Sequence, residues 1–546
     1  MHFRDVFRAL LSLALAAATS GCSGDVDTSR SLFASEDARG GQSPDTEVSV
    51  DAPAPFDTIA KVDAEPESDS GPADVAAPND AVTGADGFDI SDLSDTAHPD
   101  LALAPDASAP DDVPFADEVL PPDDVSPPDD VSPPEDSSAP DDASTPDSFF
   151  PALYPRDRIH SPLTPSVVAR LTEVHATDPA LADDVFMKIG ASTTVSSAYL
   201  GCFAGDNVAL GGYATLQSAL DYFLAGDAAG SDPFSRKTVA AKVGVSAGWA
   251  ITGDPSPMEQ EYLALAPSFA FVHYGTNDIG MGSTYEAALL NFGEKLWTLT
   301  DELIGWGVVP VLVTVGQRLD SEAANAWVDA FNTVVAAVAQ GRQVPLLDAN
   351  LAYEPISNYG IASDGIHSSV FPGGACQLTD AGLDYGMNMR NAHSLIALDR
   401  LRRAVLLGEV LDAPGAPLLG AGTHADPIVV PSLPFSDLRS TIGGEAVFDT
   451  YPGCNAAQDE SGPEVVYRVK LTAETSLRAA VHDLGTVDVD LHLLDDTGTP
   501  DGCLERAHRF IDITLAPGVY YVVLDSFVSG GVSKAGEYIV TLEALP

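Results

Sequence analysis

The sequence predicts an α/β domain with a mostly parallel sheet, followed by an antiparallel β-sandwich at the C-terminus. Two observations predict this order. Between about residues 155 and 412, short apolar runs alternate with segments whose apolar side chains recur at helical spacing, which indicates strands and helices packed in layers. After about residue 428, apolar residues recur at every second position and helical spacing disappears, which is typical of short strands with one buried face.

The α/β domain, predicted over residues 155–412, contains four apolar runs that we interpret as buried strands. These runs are 185–189, 269–274, 309–315 and 344–347. The segments between and after them show helical spacing, namely 285–306, 321–340 and 392–409. Because ligands of such folds bind at the carboxyl ends of the strands, polar residues that directly follow the runs are the candidates for function.

The C-terminal domain is predicted over residues 429–546, after a linker at 413–428 that begins with a joint rich in Pro, Gly and Ala. Three segments alternate between apolar and polar residues, namely 487–493, 510–515 and 520–525. Turn residues such as Pro517-Gly518 separate them. The pattern therefore predicts a β-sandwich.

The first 21 residues predict an export signal. Basic residues precede an apolar stretch at 9–18, which is too short to span a bilayer as a helix. The small residues 19–21 then lead into Cys22. This junction resembles the bacterial lipoprotein cleavage box, with Thr19 where Leu is usual, and the resemblance implies lipid on Cys22 and an outer-membrane or cell-surface location. The alternative is a plain secretory signal followed by a chance cysteine.

Residues 22–154 predict a disordered acidic linker. From residue 23 to residue 150 the chain holds 33 acidic and 3 basic residues, and the hexapeptide PPDDVS repeats within 121–138. Such a segment cannot bury enough apolar surface to offset its chain entropy, and its prolines and like charges keep it extended. The net charge of the whole chain is −55, which excludes nucleic acid as a partner because its partners carry basic patches.

The remaining four cysteines fall into one pair per folded domain. In an exported protein this distribution suggests the disulfides Cys202–Cys376 and Cys454–Cys503. Neither a CxxC motif nor a His/Cys spacing indicates zinc, and no metal or other cofactor is expected.

Three short motifs follow predicted strands or close the same region. They are Gly190-Ala191-Ser192, Gly275-Thr276-Asn277-Asp278 and Asp364-Gly365-Ile366-His367. Together they supply a hydroxyl nucleophile, an amide donor, and a histidine with an acid one turn away, which is the inventory for acyl transfer by a serine hydrolase. Each motif alone is weak, since Asn-Asp after Gly is often a turn and a lone histidine is usually structural.

The order of these motifs on an α/β domain resembles the SGNH (GDSL-type) hydrolase family over roughly residues 180–400. The resemblance implies a flavodoxin-like α/β/α domain in which Ser192 is the nucleophile. It further implies that His367 is the general base and then acid, and that Asp364 is the acid that orients it. An ester is the implied substrate.

The same resemblance implies an oxyanion hole made by the Asn277 amide and backbone N–H groups. The N–H donors are those of Ser192 and Gly248, with Ala247 as an equally possible donor one position earlier. One departure is Ala191, which replaces the aspartate of the family motif and puts the local support of the serine, and hence full activity, in doubt.

Ser246 is a rival nucleophile because residues 244–248 match G-x-S-x-G. The elbow of α/β-hydrolases requires a helix after the serine, and the following residues are interrupted by Gly and Pro, which favours Ser192. His273, at the end of the second strand, is interpreted as a packing residue.

The C-terminal sandwich resembles the bacterial pre-peptidase C-terminal domain at residues 459–467, 488–494 and 515–521. Asp488, Asp490 and Asp495 could be a calcium cluster, but on an alternating strand they are interpreted as its solvated face. The whole chain is therefore expected to be a lipid-anchored serine esterase. Its expected substrates carry acetyl or other acyl groups, on polysaccharides or lipids of the envelope or environment. The alternative is a weakly active or inactive surface protein that binds carbohydrate or lipid.

Overall fold

A computed structural model describes residues 152–456 and 458–545. The predicted export signal, Cys22 and the acidic linker up to residue 151 lie outside the described residues. The last residues assigned to the linker, 152–154, pack against the folded domains. Tyr154 is buried, and its backbone N–H donates to Oε1 of Gln340 at 2.8 Å.

A parallel four-stranded sheet forms the centre of the first domain, as the alternating pattern predicted. Its strands, in spatial order, are β1 (Ala182–Gly190), β2 (Pro267–His273), β3 (Val309–Val313) and β4 (Leu346–Leu347). At the free edge of β1, Gly190 forms a parallel bridge with Ala241. The segment around Ala241 therefore takes the place of a strand at that edge of the sheet. Numbered along the chain with this segment included, the order is 2-1-3-4-5, which is the flavodoxin-like arrangement.

Helices cover both faces of this sheet. They are α1 (Pro165–His175), α2 (Ser192–Val195), α3 (Gln217–Leu224), α4 (Ala247–Ala250), α5 (Pro257–Leu265), α6 (Tyr285–Gly305), α7 (Glu322–Asn325), α8 (Val328–Arg342), α9 (Ala349–Tyr353), α10 (Asp380–Leu383) and α11 (Gly386–Leu401), the last continued by a π-helical turn at Arg402–Leu406. The longest, α6, is capped at its N-terminus by Thr284, whose hydroxyl accepts the N–H of Ala287. Among the described residues, no helix combines the length and apolarity needed to cross a membrane.

Two predicted helices differ from the observed ones. The segment 321–340 divides into α7 and α8 at Trp327, whose ring stacks on Phe510 of the C-terminal domain. The closing helix begins at Gly386 rather than near residue 392. Its first turns carry buried polar side chains such as Asn388 and Asn391, which hydrogen-bond to neighbouring loops and interrupt the apolar spacing that a sequence pattern detects.

The C-terminal domain is a β-sandwich, as the alternating pattern predicted. The strands are β5 (Ile428–Val429), β6 (Phe435–Ser440), β7 (Glu464–Leu471), β8 (Thr475–Asp483), β9 (Val489–Leu494), β10 (Cys503–Ala507), β11 (Phe510–Leu515), β12 (Gly518–Ser526) and β15 (Glu537–Ala544), with a small hairpin of β13 (Val528–Ser529) and β14 (Val532–Ser533). One sheet has the order β10-β9-β12-β7-β5 and the other β11-β8-β15-β6; all pairs are antiparallel except β5 with β7.

One expectation for this domain is wrong. Asp490 does not lie on a solvated face, since it is only 2 % exposed. The segment that precedes β7 covers the outer face of the five-stranded sheet and is fastened to β10 by the Cys454–Cys503 disulfide. We call residues 445–456 and 458–463 the cover segment. It removes from water those side chains of β9 and β12 that alternation alone assigned to the surface.

The two domains pack closely through α6 and α8. A methyl group on Gly293 of α6 would overlap the imidazole of His482 on β8, and one on Gly341 of α8 would overlap Leu438 on β6. Arg478 on β8 stacks 3.7 Å above the ring of Trp327. Contact this close requires glycine on the helices, so the α/β domain and the sandwich form one packed body.

Candidate active site

The candidate nucleophile lies in a sharp turn after β1. Ser192 is the first residue of α2, and the strand ends two residues earlier at Gly190. A Cβ atom on Gly190 would overlap the Thr194 hydroxyl and lie 2.8 Å from the carbonyl oxygen of His273. Only glycine fits this point, and it allows the chain to leave the sheet and present the serine at the carboxyl end of the strand.

Ala191 contributes to this turn through its main chain. Its carbonyl oxygen accepts the N–H groups of Thr194 at 3.0 Å and Val195 at 3.1 Å. The turn is therefore closed by backbone hydrogen bonds, which do not depend on the side chain at position 191. The family aspartate is missing, but the conformation that presents Ser192 is retained.

Replacing Gly190 with alanine is expected to destabilise the protein by about 1–3 kcal/mol, because overpacking forces the surrounding backbone to shift. The shift would also displace Ser192. We expect a lower melting temperature together with a lower kcat for a model ester, measured by thermal unfolding and steady-state kinetics. Gly212→Ala is the matched control, since a Cβ there meets nothing within 4 Å. A Gly190→Ala variant as stable and active as this control would contradict the expectation.

A continuous hydrogen-bond chain joins the three predicted residues. Nε2 of His367 lies 2.8 Å from Oγ of Ser192, and Nδ1 of the same ring lies 2.7 Å from Oδ2 of Asp364. Burial raises the pKa of Asp364, but hydrogen bonds from the N–H groups of Ile366 and His367 and from the imidazole outweigh it and lower that pKa to about 2. The carboxylate is therefore ionised and can stabilise a positively charged imidazole.

The amide of Asn277 approaches the same edge of the sheet on the loop after β2. Its Nδ2 donates to the carbonyl oxygen of Val245 at 2.9 Å, which fixes the orientation of the amide and ties the loop to the segment before α4. A primary amide carries two N–H groups, so a second one is left for another acceptor.

The structure distinguishes the two candidate backbone donors. The N–H of Ala247 donates to Oδ1 of Asp278 at 2.9 Å, so it is already occupied. Gly248 is the second residue of α4, where a helical N–H has no intrahelical acceptor. Gly248 is therefore the donor of this pair that remains for an oxyanion.

Asp278 is a residue whose role the sequence reasoning missed. Its second oxygen accepts the N–H of Gly275 at 3.0 Å, so one buried carboxyl group holds both the Asn277 loop and the start of α4. Burial raises the pKa of Asp278 to about 6, against the lowering effect of these backbone hydrogen bonds. Its place beside Asn277 in the motif was the signal that could have identified it.

Arg318 was missed because nothing in its sequence neighbourhood marks it. Its Nη1 donates to the carbonyl oxygen of Thr276 at 2.6 Å, and its guanidinium pairs with Asp320 at 2.7 Å. The N–H of Asp320 in turn donates to the carbonyl oxygen of Gly365 at 3.2 Å. This chain of contacts links the Asn277 loop to the loop that carries His367.

The surroundings of Ser246, the rival nucleophile, and of His273 indicate structural roles. Ser246 precedes α4, which has only four residues, and its side chain makes no capping hydrogen bond. His273 is buried, which lowers its pKa well below the usual value, and Nδ1 lies 3.2 Å from the hydroxyl of Thr193. It packs beneath the serine turn.

The disulfide Cys202–Cys376 joins the segment after Ser192 to the segment after His367. It closes 174 residues of chain and so connects the two parts of the site that are furthest apart in sequence. The structure thus contains both of the cysteine pairs that the distribution suggested.

A serine and an amide that follow parallel strands, with a histidine hydrogen-bonded to the serine, form an arrangement found in α/β ester hydrolases. Residues 203–370 match the GDSL-like Lipase/Acylhydrolase family. This match lies within the α/β domain, and together with the fold and the site it supports an SGNH-type ester hydrolase. The matched range includes Asn277, Asp364 and His367 and begins downstream of Ser192.

Several solved structures are similar to this chain at low identity. A two-domain esterase active on acetylated mannans is 13 % identical, with 69 % of this chain and 95 % of that chain covered and a TM-score of 0.27. A GDSL-like lipase from Bacteroides thetaiotaomicron is also 13 % identical, covering 43 % and 98 % with a TM-score of 0.27. The pre-peptidase C-terminal domain of a Bacillus anthracis collagenase is 11 % identical, covering 21 % and 92 % with a TM-score of 0.15.

No curated protein matches the chain.

Proposed function

We propose that the protein hydrolyses carboxylic esters through Ser192, His367 and Asp364. The observation that carries this proposal is the hydrogen-bond chain from Oγ of Ser192 through the imidazole to the carboxylate. Nε2 of His367 takes the hydroxyl proton as Oγ attacks the ester carbonyl carbon, and Asp364 stabilises the imidazolium that forms.

Three donors then stabilise the tetrahedral oxyanion: the Asn277 amide and the N–H groups of Ser192 and Gly248. Ser192 and Gly248 each lie at the start of a short helix, where N–H groups lack intrahelical acceptors. The bond to the alcohol oxygen breaks as His367 returns the proton to that oxygen. Water, deprotonated by His367, then hydrolyses the acyl-enzyme and regenerates Ser192.

A substrate with a short acyl group on a large alcohol fits the openness of this site. The side chains of His367 and Asp364 are 44 % and 51 % exposed. We propose acetyl or other small acyl groups on polysaccharides or lipids of the envelope or its surroundings, which a series of p-nitrophenyl esters from acetate to decanoate would test. A preference for long chains would contradict it.

We further propose that the protein is exported and anchored by lipid on Cys22, with the acidic linker as spacer. The signal-like N-terminus and the two disulfides of the folded domains support the proposed export. Expressed in a bacterial host with radiolabelled palmitate, the wild type should be labelled and Cys22→Ala should not. Equal labelling of both proteins would refute lipid attachment at Cys22.

A fluorophosphonate probe tests the proposed nucleophile directly. The probe reacts with activated serines, so mass spectrometry of the labelled protein should locate the adduct on Ser192. The alternative function, a surface protein that binds carbohydrate or lipid without hydrolysis, predicts a folded protein with no adduct.

Replacing Asn277 with alanine is expected to lower kcat about 10²–10³-fold with little change in KM, because removing one oxyanion donor costs this much in comparable sites. Thr276→Ala is the neighbouring control, since Arg318 contacts only the carbonyl oxygen of Thr276. Thr276→Ala should melt close to the wild type, and Asn277→Ala somewhat lower, because it also loses the hydrogen bond to the carbonyl oxygen of Val245. An equal loss of activity in the control would show that the loop, and not the amide, accounts for the effect.

A further inference from the structure

Three adjacent strands of the C-terminal sandwich place acidic side chains at the same level. Asp525 on β12 is the register partner of Glu464 on β7 and of Asp490 on β9. Directly opposed like charges destabilise a sheet, and here all three side chains are at most 2 % exposed. Glu460 of the cover segment, also fully buried, adds a fourth carboxyl group.

The positive charge near these groups does not balance them. Arg506 contacts Asp490 and lies 3.3 Å from Oε1 of Glu460, and it is the one guanidinium among them in the described chain. His424, which is partly exposed, lies 2.9 Å from Oε1 of Glu464 without making a hydrogen bond. His508, which is about half exposed, contacts Asp490 with 3.0 Å between Nδ1 and Oδ1. The other contacts come from neutral donors, namely the hydroxyl of Tyr451 and two backbone N–H groups.

Polar atoms without partners point into this cluster. Among the described residues, Oε2 of Glu460, Oδ1 of Asp525 and both ring nitrogens of His492 have no hydrogen-bond partner. His492 is fully buried and stacks on Tyr451 with ring centroids 3.6 Å apart. Buried polar atoms are almost always satisfied, so a fully buried imidazole and two carboxylate oxygens left unpaired together indicate a missing partner.

One ligand atom each from Glu460, His492 and Asp525 can be chosen so that all three lie within 4.8 Å of one another. We propose that these residues bind a divalent transition-metal ion beneath the cover segment. An imidazole nitrogen with carboxylate oxygens is a donor set that zinc accepts, whereas calcium takes oxygen ligands alone. The ion fixes the cover segment to β9 and β12, alongside the Cys454–Cys503 disulfide.

The test compares the melting temperature of the chelator-treated full chain with and without Zn²⁺, and counts bound zinc by calorimetry. We expect one tight site and a rise of about 5 °C or more at a hundredfold excess over its dissociation constant. Asp525→Asn keeps the size of the side chain and removes one like charge. Without metal it should melt at or above the wild type, but Zn²⁺ should no longer raise its melting temperature.

His492→Gln should lose the same response. His508→Gln is the control, because His508 is about half exposed and contacts Asp488 and Asp490 but none of the three proposed ligands. X-ray absorption of the zinc-loaded wild type needs no variant and should show nitrogen and oxygen ligands at about 2.0–2.2 Å. Loss of the response in His508→Gln but not in Asp525→Asn, no zinc response in the wild type, or a shell of oxygen alone would each overturn the proposal.

Discussion

Replacing Ser192 with alanine is expected to lower kcat/KM for p-nitrophenyl acetate about 10⁴-fold or more, because removal of the nucleophile of a hydrolytic triad costs at least this much. The variant should fold normally, since the turn around residue 192 is closed by the carbonyl oxygen of Ala191. Initial rates and the melting temperature, measured on the same preparation, separate loss of chemistry from loss of fold. His367→Ala should be nearly as inactive, and the double variant no worse, because residues that act as a unit are not additive.

Ser246→Ala is the control that makes this result specific. Ser246 lies in the G-x-S-x-G segment, so both serines are sequence-level candidates for the nucleophile. We expect the Ser246 variant to retain most of its activity and its fluorophosphonate labelling. Activity that survives Ser192→Ala but not Ser246→Ala would assign the nucleophile to the other serine and refute the proposed mechanism.

The second large effect is expected from the disulfide that spans the site. Replacing Cys202 and Cys376 together with alanine releases a closed loop of 174 residues, and the chain-entropy account gives a loss of ~5 kcal/mol for a loop of that length. For a domain of this size the melting temperature should fall by ~10 °C. Activity should fall as well, since the bridge joins the segments that follow Ser192 and His367.

Cys454→Ala with Cys503→Ala is the matched comparison. This second bridge closes only 49 residues and lies in the sandwich, so its removal should destabilise the protein without lowering kcat of the molecules that remain folded. Thermal unfolding and kinetics at a temperature where both variants are folded would distinguish the two bridges. Equal effects on kcat would show that neither bridge supports the site in particular.

The sequence was sufficient for features that depend on local pattern. The buried strands can be recognised in the sequence because both faces of a parallel sheet are covered, so each strand is a continuous apolar run. The residues Ser192, Asn277 and His367 stand out because they follow strands or close the region. Parallel strands bring such positions to one edge of the sheet, and the hydrogen-bond chain from Ser192 to Asp364 lies there.

The features that were missed depend on long-range contacts. Asp490 falls at a position that the alternating pattern assigns to the surface. It is buried because the cover segment packs over it, and that contact is not visible in the local pattern. The resemblance favoured Gly248 without excluding Ala247, because the contact between Asp278 and the N–H of Ala247 is visible only in the fold. The proposed metal ligands likewise come from the cover segment and two strands, so no spacing motif could have shown them.

The glycines at the seam between the domains have a consequence for how this protein can change. Gly293 and Gly341 sit on helices of the hydrolase domain, yet their lack of a side chain is required by His482 and Leu438 of the sandwich. A substitution on one side is tolerated only if the other side yields space. A substitution at this interface must therefore be compensated by one in the other domain. Another sandwich could not replace this one without changes to the helices that contact it.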